Sequence, residues 1–224
     1  MCGRFTLIAP GETVAELFQL PDTPVLAPRY NIAPTQPVAA VRVLRDTGRR
    51  ELTYFHWGLI PRWAKDPTIG SRMINARSET AAEKPSFKAA MKYRRCLVPA
   101  DGFYEWQKLN GAKQPVRIQT KDGGLFAIAG LWEHWQSPDG SEIESCTLLT
   151  TSPNDLLAQV HNRMPVIVAP EDFELWLDPA AQHPGEIQHL LKPYPAEEMN
   201  FYPVSNHVNN PRNEDPLCIE PLAA

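Results

Sequence analysis

Short runs of mainly apolar residues, a few of them alternating with polar residues, recur along the chain, and this pattern predicts a strand-rich protein. The predicted strands cover residues 38–44, 52–57, 95–98, 116–119, 125–131, 145–151 and 166–168. The first two are expected to pair as a hairpin, and the turn residues of 121–124 predict a second hairpin. Residues 99–106 also alternate, with Phe103 and Glu105 on one face and Tyr104 and Trp106 on the other.

Helical spacing of apolar residues is limited to short segments. It predicts a helix over residues 12–20, and the proline-rich residues 21–37 that follow predict a loop. Thr80 and Glu83 form a candidate capping box for another short helix. Further short helices or helical turns are predicted over residues 87–91, 153–160, 171–177 and 186–191.

Many strands with scattered short helices predict an α+β fold built on mixed or barrel-like β-sheets. No internal repeat or clean linker interrupts the 224 residues, so residues 1–224 are expected to form a single domain. A hydrophobic content of 43% and a charged content of 21% are typical of globular proteins. The 23 prolines are spread along the chain, which predicts many turns and argues against a bundle of long helices.

The net charge of −4 argues against a generic basic coat for nucleic acid. It leaves room for a locally basic groove. Two short basic clusters are candidates for such a groove, and each is equally well explained as a solvated surface: Arg42, Arg45, Arg49 and Arg50, and Lys88, Lys92, Arg94 and Arg95.

The four cysteines contain no Cys-x-x-Cys pair, so their spacing indicates no metal site, and nothing in the sequence indicates a cofactor. Cys96 and Cys146 lie in apolar segments and are predicted to be buried strand residues. The first residues have no apolar core of a signal peptide, and no segment is apolar enough to span a membrane. We therefore expect a cytoplasmic protein, associated with the nucleoid if it is bacterial.

The chemistry of the first residues depends on Cys2. Initiator methionine is normally removed before a small residue, and removal of Met1 leaves an α-amine and a thiol on one residue. Such a 1,2-aminothiol condenses with an aldehyde to an imine and then closes a thiazolidine ring; alternatively, the thiol attacks an acyl carbon. A free α-amine has a pKa near ~8 and a free thiol has a pKa near ~8.5, so both groups have a reactive fraction at neutral pH. The next two residues favour a chemical role over an incidental cysteine at a frayed terminus. Gly3 lets a substrate approach closely, and Arg4 is suited to holding an anion.

Three further residues are candidates for chemistry, and each has a structural alternative. Glu105 lies among three aromatic residues, where burial raises a carboxyl pKa, but it also fits a surface position on an edge strand. His161 follows a predicted helix, where it is either a proton donor or a capping residue. Asn75 is either an amide that orients a substrate or a turn cap, and Arg77 beside it is suited to holding a phosphate.

Several motifs, taken together in order and spacing, resemble the SOS-response-associated peptidase (SRAP) family of abasic-site processing proteins. The resemblance runs end to end and rests on Met-Cys-Gly-Arg-Phe at 1–5, Tyr-Asn-Ile-Ala-Pro at 30–34, Trp-Gly-Leu-Ile-Pro at 57–61, Ile-Asn-Ala-Arg-Ser-Glu-Thr at 74–80, Pro-Ala-Asp-Gly-Phe-Tyr-Glu-Trp at 99–106, His-Asn-Arg-Met-Pro at 161–165 and Pro-Val-Ser-Asn-His-Val-Asn-Asn at 203–210. It implies a covalent protein–DNA crosslink at abasic sites in single-stranded DNA, including sites at single-strand/double-strand junctions, as part of SOS DNA repair. It also implies a monomer that acts without metal or cofactor.

The resemblance also implies roles for individual residues. Cys2 would be the nucleophile, Asn75 would hold the amine or the sugar, Glu105 would be the acid/base, and His161 would protonate the sugar ring oxygen. The residues implied to contact DNA are Arg4, Arg77 and Arg163 at phosphates, and Asn31, Trp63 and Trp106 along the channel.

Three other functions remain open from the sequence. Glutamine amidotransferases also begin with Met-Cys-Gly, but Arg4 is a poor match to the apolar residue expected there. A non-catalytic single-strand-binding module would use Trp63 and Trp106 as stacking platforms and would not need Cys2. A self-processing peptidase would remove Met1 or release a DNA-bound peptide.

Overall fold

The computed structural model describes residues 2–109 and 111–222 of the chain, and most of its regular structure is β-strand. The strands, in chain order, are β1 Phe5–Leu7, β2 Arg29–Ile32, β3 Pro37–Val43, β4 Arg50–Trp57, β5 Asn75–Arg77, β6 Arg95–Ala100, β7 Gly102–Leu109, β8 Ala112–Thr120, β9 Phe126–Gln136, β10 Glu142–Thr151, β11 Met164–Pro165, β12 Ile167–Val168 and β13 Met199–Pro203.

The helices are short and lie between the strands. The α-helices are α1 Gly11–Phe18, α2 Ser78–Ala81, α3 Lys88–Tyr93, α4 Phe173–Leu177 and α5 Pro184–Ile187. The 3-10 helices are Pro67–Arg72, Leu157–Gln159, Pro170–Asp172, Gln188–Leu190, Ala196–Glu198, Asn206–Asn209 and Pro216–Cys218. Within the described part of the chain, no helix has the length and apolar character needed to cross a membrane. The predicted α+β fold is confirmed.

The larger sheet closes into a barrel, as predicted. Its strands follow the order β11-β10-β4-β3-β6-β9-β12, and β9 also pairs with β10, so that β10, β4, β3, β6 and β9 form a closed ring. β3 and β4 form the predicted antiparallel hairpin, whereas β10 runs parallel to β4 and to β5. Cys96 and Cys146 are fully buried on strands of this barrel, as predicted.

The smaller sheet has the order β13-β8-β7-β1-β2 and carries the N-terminus of the chain. β1 pairs antiparallel with β7 on one side and with β2 on the other. The alternation along β7 is confirmed by its packing: Phe103 enters the main core, whereas Tyr104 packs in a second apolar cluster with Val204, Val208 and Cys218.

Four local predictions from the sequence are wrong. The predicted loop 21–37 contains β2, because its backbone pairs with β1. The turn at 121–124 does not close a hairpin, because β8 belongs to the smaller sheet and β9 to the barrel. Thr80 lies inside α2 rather than at its start, so no capping box forms with Glu83. Residues 153–160 contain only a three-residue 3-10 helix, where the Asn154 side chain accepts a hydrogen bond from the amide of Leu157.

A buried polar network centred on Asp101 fixes the N-terminal strand. The Asp101 carboxylate accepts hydrogen bonds from the Thr6 hydroxyl at 2.6 Å and from the backbone amides of Ile8 and Ala9. Its charge is balanced by the buried guanidinium of Arg117 at 3.3 Å. The network therefore joins β1, β7 and β8 directly behind the first residues of the chain.

Replacing Asp101 with alanine is expected to lower the free energy of unfolding by about 3–5 kcal/mol, because it leaves the buried Arg117 without its charge partner. Urea unfolding followed by tryptophan fluorescence measures this loss. Asp155→Ala, at an exposed position, is the matched control and should change stability by less than about 0.5 kcal/mol. Equal unfolding midpoints for the two variants would contradict the assigned role of the network.

Candidate active site

Cys2 is held in a defined position directly before β1. Its side chain is 0% exposed, and its thiol lies 3.9 Å from the Arg4 carbonyl oxygen. The amide of Tyr104 donates to that same Arg4 carbonyl at 2.9 Å, so the pairing of β1 with β7 continues toward the N-terminus. Continued by one further residue pair, this register places Gly3 opposite Glu105. The interpretation of Cys2 as part of a frayed terminus is therefore wrong.

Burial changes the acidity of the Cys2 thiol. Desolvation raises its pKa to about 12, and the negative charge of Glu105 contributes in the same direction. This pKa belongs to a chain that keeps Met1, so the reactive thiolate fraction expected after removal of Met1 stays a prediction. With Met1 in place the sulfur is a neutral thiol, and its proton must leave as the sulfur forms a bond.

Asn75 binds Cys2 directly. β5 lies parallel to the barrel strand β10, with Asn75 beside Leu148. The Asn75 side-chain amide donates a hydrogen bond to the Cys2 carbonyl oxygen at 2.8 Å. Its other polar atom, Oδ1, is buried and accepts no hydrogen bond from the described residues. Asn75 thus fixes the Cys2 backbone and keeps one acceptor available beside it.

Glu105 is a buried acid next to the thiol. Its residue is 4% exposed on β7, which lies between β1 and β8 in the sheet. The alternative of a surface glutamate on an edge strand is therefore wrong. Its charge acts on the Cys2 thiol, so a carboxylate lies within electrostatic reach of the cysteine that directly follows Met1.

His161 follows the short 3-10 helix that replaces the predicted helix over residues 153–160. Its amide donates to the Leu157 carbonyl at 2.8 Å, and Nδ1 of its ring accepts from the amide of Arg163 at 3.0 Å and lies 3.3 Å from the Arg163 carbonyl oxygen. A ring whose Nδ1 is an acceptor carries its proton on Nε2 when it is neutral. The Gln107 side chain donates to the Gln159 carbonyl at 3.1 Å, so β7 holds both Glu105 and the turn before His161.

β10 aligns the segments of Asn75 and His161. Leu148 pairs with Asn75 on one side of the strand, and Thr151 pairs with Met164 on the other. Both segments therefore reach the same end of β10. Asn75 and Glu105 both act on Cys2, whereas the segment of His161 reaches the same end of β10 as the segment of Asn75.

Arg4 and Asn31 connect this region to the tail of the chain. The Arg4 guanidinium donates to Asn31 Oδ1 at 2.6 Å and to the Val208 carbonyl at 2.8 Å. It also lies 5.8 Å from the centre of the Trp106 ring, whose indole N–H donates to Asn209 at 2.7 Å. Asn31 is fully buried, and its amide nitrogen donates to three carbonyls of the tail, those of Val208, Asn210 and Asn213.

The other residues predicted to contact DNA differ in exposure. Arg77 is exposed at the end of β5. Arg163 is not: its guanidinium makes two hydrogen bonds to Glu79, at 2.6 and 2.8 Å, and further bonds to Thr150. Trp63 is 58% exposed on the separate loop that follows Gly58. The sequence analysis missed Glu79 and Asn209, although both lie inside the motifs that carry the family resemblance.

One group of candidate metal ligands occurs among the described residues, although the cysteine spacing indicated none. The ligand atoms of His207, Asp215 and Cys218 lie within 4.8 Å of one another. The His207 ring is occupied at both nitrogens, because Nε2 faces the Asp215 carboxylate at 2.9 Å and Nδ1 faces the Asn213 amide nitrogen at 3.1 Å. Hydrogen bonding within the tail accounts for this arrangement.

One arginine of each basic cluster is engaged with other parts of the protein. Arg42 pairs with Glu51 and Glu144, each at 2.6 Å, and Arg95 is buried and donates to backbone carbonyls. A cavity of about 960 Å³ beside the first cluster is lined by both basic and acidic residues, including Arg49 and Glu174. It contains none of the residues predicted for the site.

Known proteins are similar to this chain over most of its length. The sequence profile described as SOS response associated peptidase (SRAP) matches residues 1–211. The abasic site processing protein YoqW of Bacillus subtilis is 45% identical over 225 residues, which cover 98% of this chain and 99% of that protein. The abasic site processing protein HMCES of Gallus gallus is 35% identical over 79% of this chain and 59% of its own length. A crystal structure of a protein from Bacteroides thetaiotaomicron superposes with a TM-score of 0.88 at 30% identity, covering 99% of this chain and 100% of that one.

Proposed function

Since the chain belongs to the SOS response associated peptidase family, whose relatives include abasic site processing proteins, we propose that it crosslinks itself covalently to abasic sites in single-stranded DNA through Cys2. The observation that carries this proposal is the convergence on Cys2 of Asn75, which binds its carbonyl, and of the buried Glu105 carboxylate. The chemistry requires that Met1 is first removed. Met1 itself lies outside the described residues.

The proposed reaction joins an aldehyde to the aminothiol with loss of one water. The abasic deoxyribose opens to expose its C1′ aldehyde, and the α-amine of Cys2 attacks that carbon. Loss of water gives an imine. The Cys2 sulfur then bonds to the imine carbon and its proton passes to the nitrogen, which closes a thiazolidine ring. Because the Cys2 side chain is buried, proton transfer is part of this last step, and the proposal assigns Glu105, whose charge acts on the thiol, as the acid/base that assists it.

His161 and Asn75 have separate parts in this proposal. His161 carries its proton on Nε2 when neutral, and that group is suited to protonating the sugar ring oxygen as the ring opens. Asn75 Oδ1 accepts no hydrogen bond from the residues that the structure describes, and it is suited to holding the amine that Met1 removal exposes. Arg4 and Trp106, stacked against each other and tied to the tail, would line the approach of the DNA.

Incubation with single-stranded DNA that carries one abasic site tests the proposal. A band that survives heating and denaturing electrophoresis is expected with this DNA. Intact DNA and DNA with a tetrahydrofuran abasic analogue, which lacks the aldehyde, should give none. Mass spectrometry must show that Met1 is absent from the sample. Without an adduct in such a sample, amide hydrolysis and plain single-strand binding become the functions to measure.

Arg77 is the arginine best placed to contact a phosphate, because its side chain is exposed beside Asn75. Replacing Arg77 with glutamine is expected to reduce the slope of log K against log salt by about 0.7, the value for one phosphate contact on single-stranded DNA. Fluorescence anisotropy with a labelled oligonucleotide at several salt concentrations measures this slope. Arg49→Gln removes an exposed arginine away from the site and should leave the slope unchanged.

A further inference from the structure

Glu79 and Arg163 form a bridge between two parts of the site. Glu79 belongs to α2, which directly follows Asn75–Arg77, whereas Arg163 belongs to the segment of His161. Their carboxylate and guanidinium are joined by two hydrogen bonds of 2.6 and 2.8 Å. Parallel bonds of this kind fix both the distance and the relative orientation of the two groups.

The bridge is anchored on a third element. Nη2 of Arg163 also donates to the carbonyl and hydroxyl oxygens of Thr150, at the end of β10. The Arg163 side chain is only 14% exposed, although its partner Glu79 is 49% exposed. The guanidinium of Arg163 is thus held from two sides, by Glu79 and by Thr150.

The main chain of Arg163 in turn holds the His161 ring. Its amide donates to Nδ1 at 3.0 Å, a shorter contact than the 3.3 Å between Nδ1 and the Arg163 carbonyl oxygen, and this contact favours a neutral ring with its proton on Nε2. Without the Glu79 carboxylate, the Arg163 guanidinium would keep only its hydrogen bonds to Thr150. The amide that orients His161 would then be less firmly placed.

We propose that Glu79 is a positioning residue of the site: through its ion pair with Arg163 it fixes the His161 ring relative to Asn75. The inference rests on the proposed crosslinking function. Glu79 does not touch the reacting atoms in this scheme. It keeps the His161 ring, which is the proposed proton donor, in a fixed position relative to the side-chain amide of Asn75.

The test compares Glu79→Gln with Glu83→Gln. Glu83 is an exposed glutamate just after α2, so its replacement removes the same charge without touching Arg163. At saturating abasic DNA, Glu79→Gln is expected to slow crosslink formation about tenfold, the effect of a misplacement of a fraction of an ångström. Glu83→Gln should react at the wild-type rate, and Glu79→Asp should recover part of the lost rate.

Two further measurements separate positioning from a simple effect of charge. If Glu79 only repels DNA, then both glutamine variants will bind intact single-stranded DNA more tightly and crosslink at the wild-type rate, which overturns the proposal. The ¹⁵N spectrum of the His161 ring should show one tautomer in the wild type and a mixture of tautomers in Glu79→Gln. An unchanged spectrum would also overturn it.

A double-mutant cycle completes the test. Because Glu79 acts through Arg163, Glu79→Gln should slow an Arg163→Gln protein no further. Additive losses would show that the two residues act independently and would contradict the proposal. If the wild-type protein forms no adduct at all, the proposed function fails. If the wild type forms the adduct and the Glu79 variants form it at the same rate, the function stands and this inference fails.

Discussion

Replacing Cys2 with serine is expected to reduce the yield of heat-stable adduct with abasic DNA by at least about 100-fold, because a hydroxyl cannot replace the thiol in closing the ring. The α-amine remains in this variant, so the imine should still form. Borohydride reduction should therefore trap a covalent product with Cys2→Ser that is absent without reduction. This pattern assigns the amine and the sulfur to successive steps.

Two controls make the Cys2 result specific. Cys218→Ser changes another buried thiol, in the second apolar cluster, and should give wild-type yield. A protein with an uncleaved N-terminal extension keeps the Cys2 thiol but lacks its α-amine, and it should form neither the stable adduct nor the trapped imine. A heat-stable adduct of the extended protein would show that the thiol acts alone, and the aminothiol mechanism would then be wrong.

Replacing Glu105 with glutamine is expected to slow crosslink formation by about 10²–10⁴-fold, the range for loss of a general acid–base group. Glutamine keeps the size of the side chain but cannot accept or release a proton. The single-turnover rate with abasic DNA measures this effect. Glu12→Gln, at an exposed position of α1, is the matched control and should react at the wild-type rate.

The Glu105→Gln variant also distinguishes two roles of the carboxylate, namely raising the pKa of the Cys2 thiol and transferring a proton. The two roles predict opposite changes in the rate of crosslink formation. The Glu105 charge helps to raise the pKa of the Cys2 thiol, so its removal lowers that pKa and increases the thiolate fraction. If the carboxylate did nothing else, Glu105→Gln would react faster than the wild type. A slower reaction means that proton transfer outweighs the change in thiol acidity, and a faster one would contradict the acid/base assignment.

Short-range patterns predicted the elements of the fold well. Short apolar runs identified the barrel strands, and alternation placed Phe103 and Tyr104 on opposite faces of β7, because the side-chain period of a strand is a local property of the backbone. The same patterns did not predict which strands pair. The turn residues at 121–124 bend the chain as expected, but they say nothing about the sheet that β9 enters, which depends on its register with β6 and β10.

The sequence by itself determined the elements, the α+β class and, through its motifs, the family and the residues to examine. The tertiary structure alone decided how those residues are placed. Alternation put Glu105 on a face of β7, but β1 and β8 on either side of that strand made it a buried acid next to Cys2. The Asn75–Cys2 and Glu79–Arg163 contacts join residues that are 73 and 84 positions apart. Contacts at such separations form only when the whole barrel has closed, so no local pattern in the sequence records them.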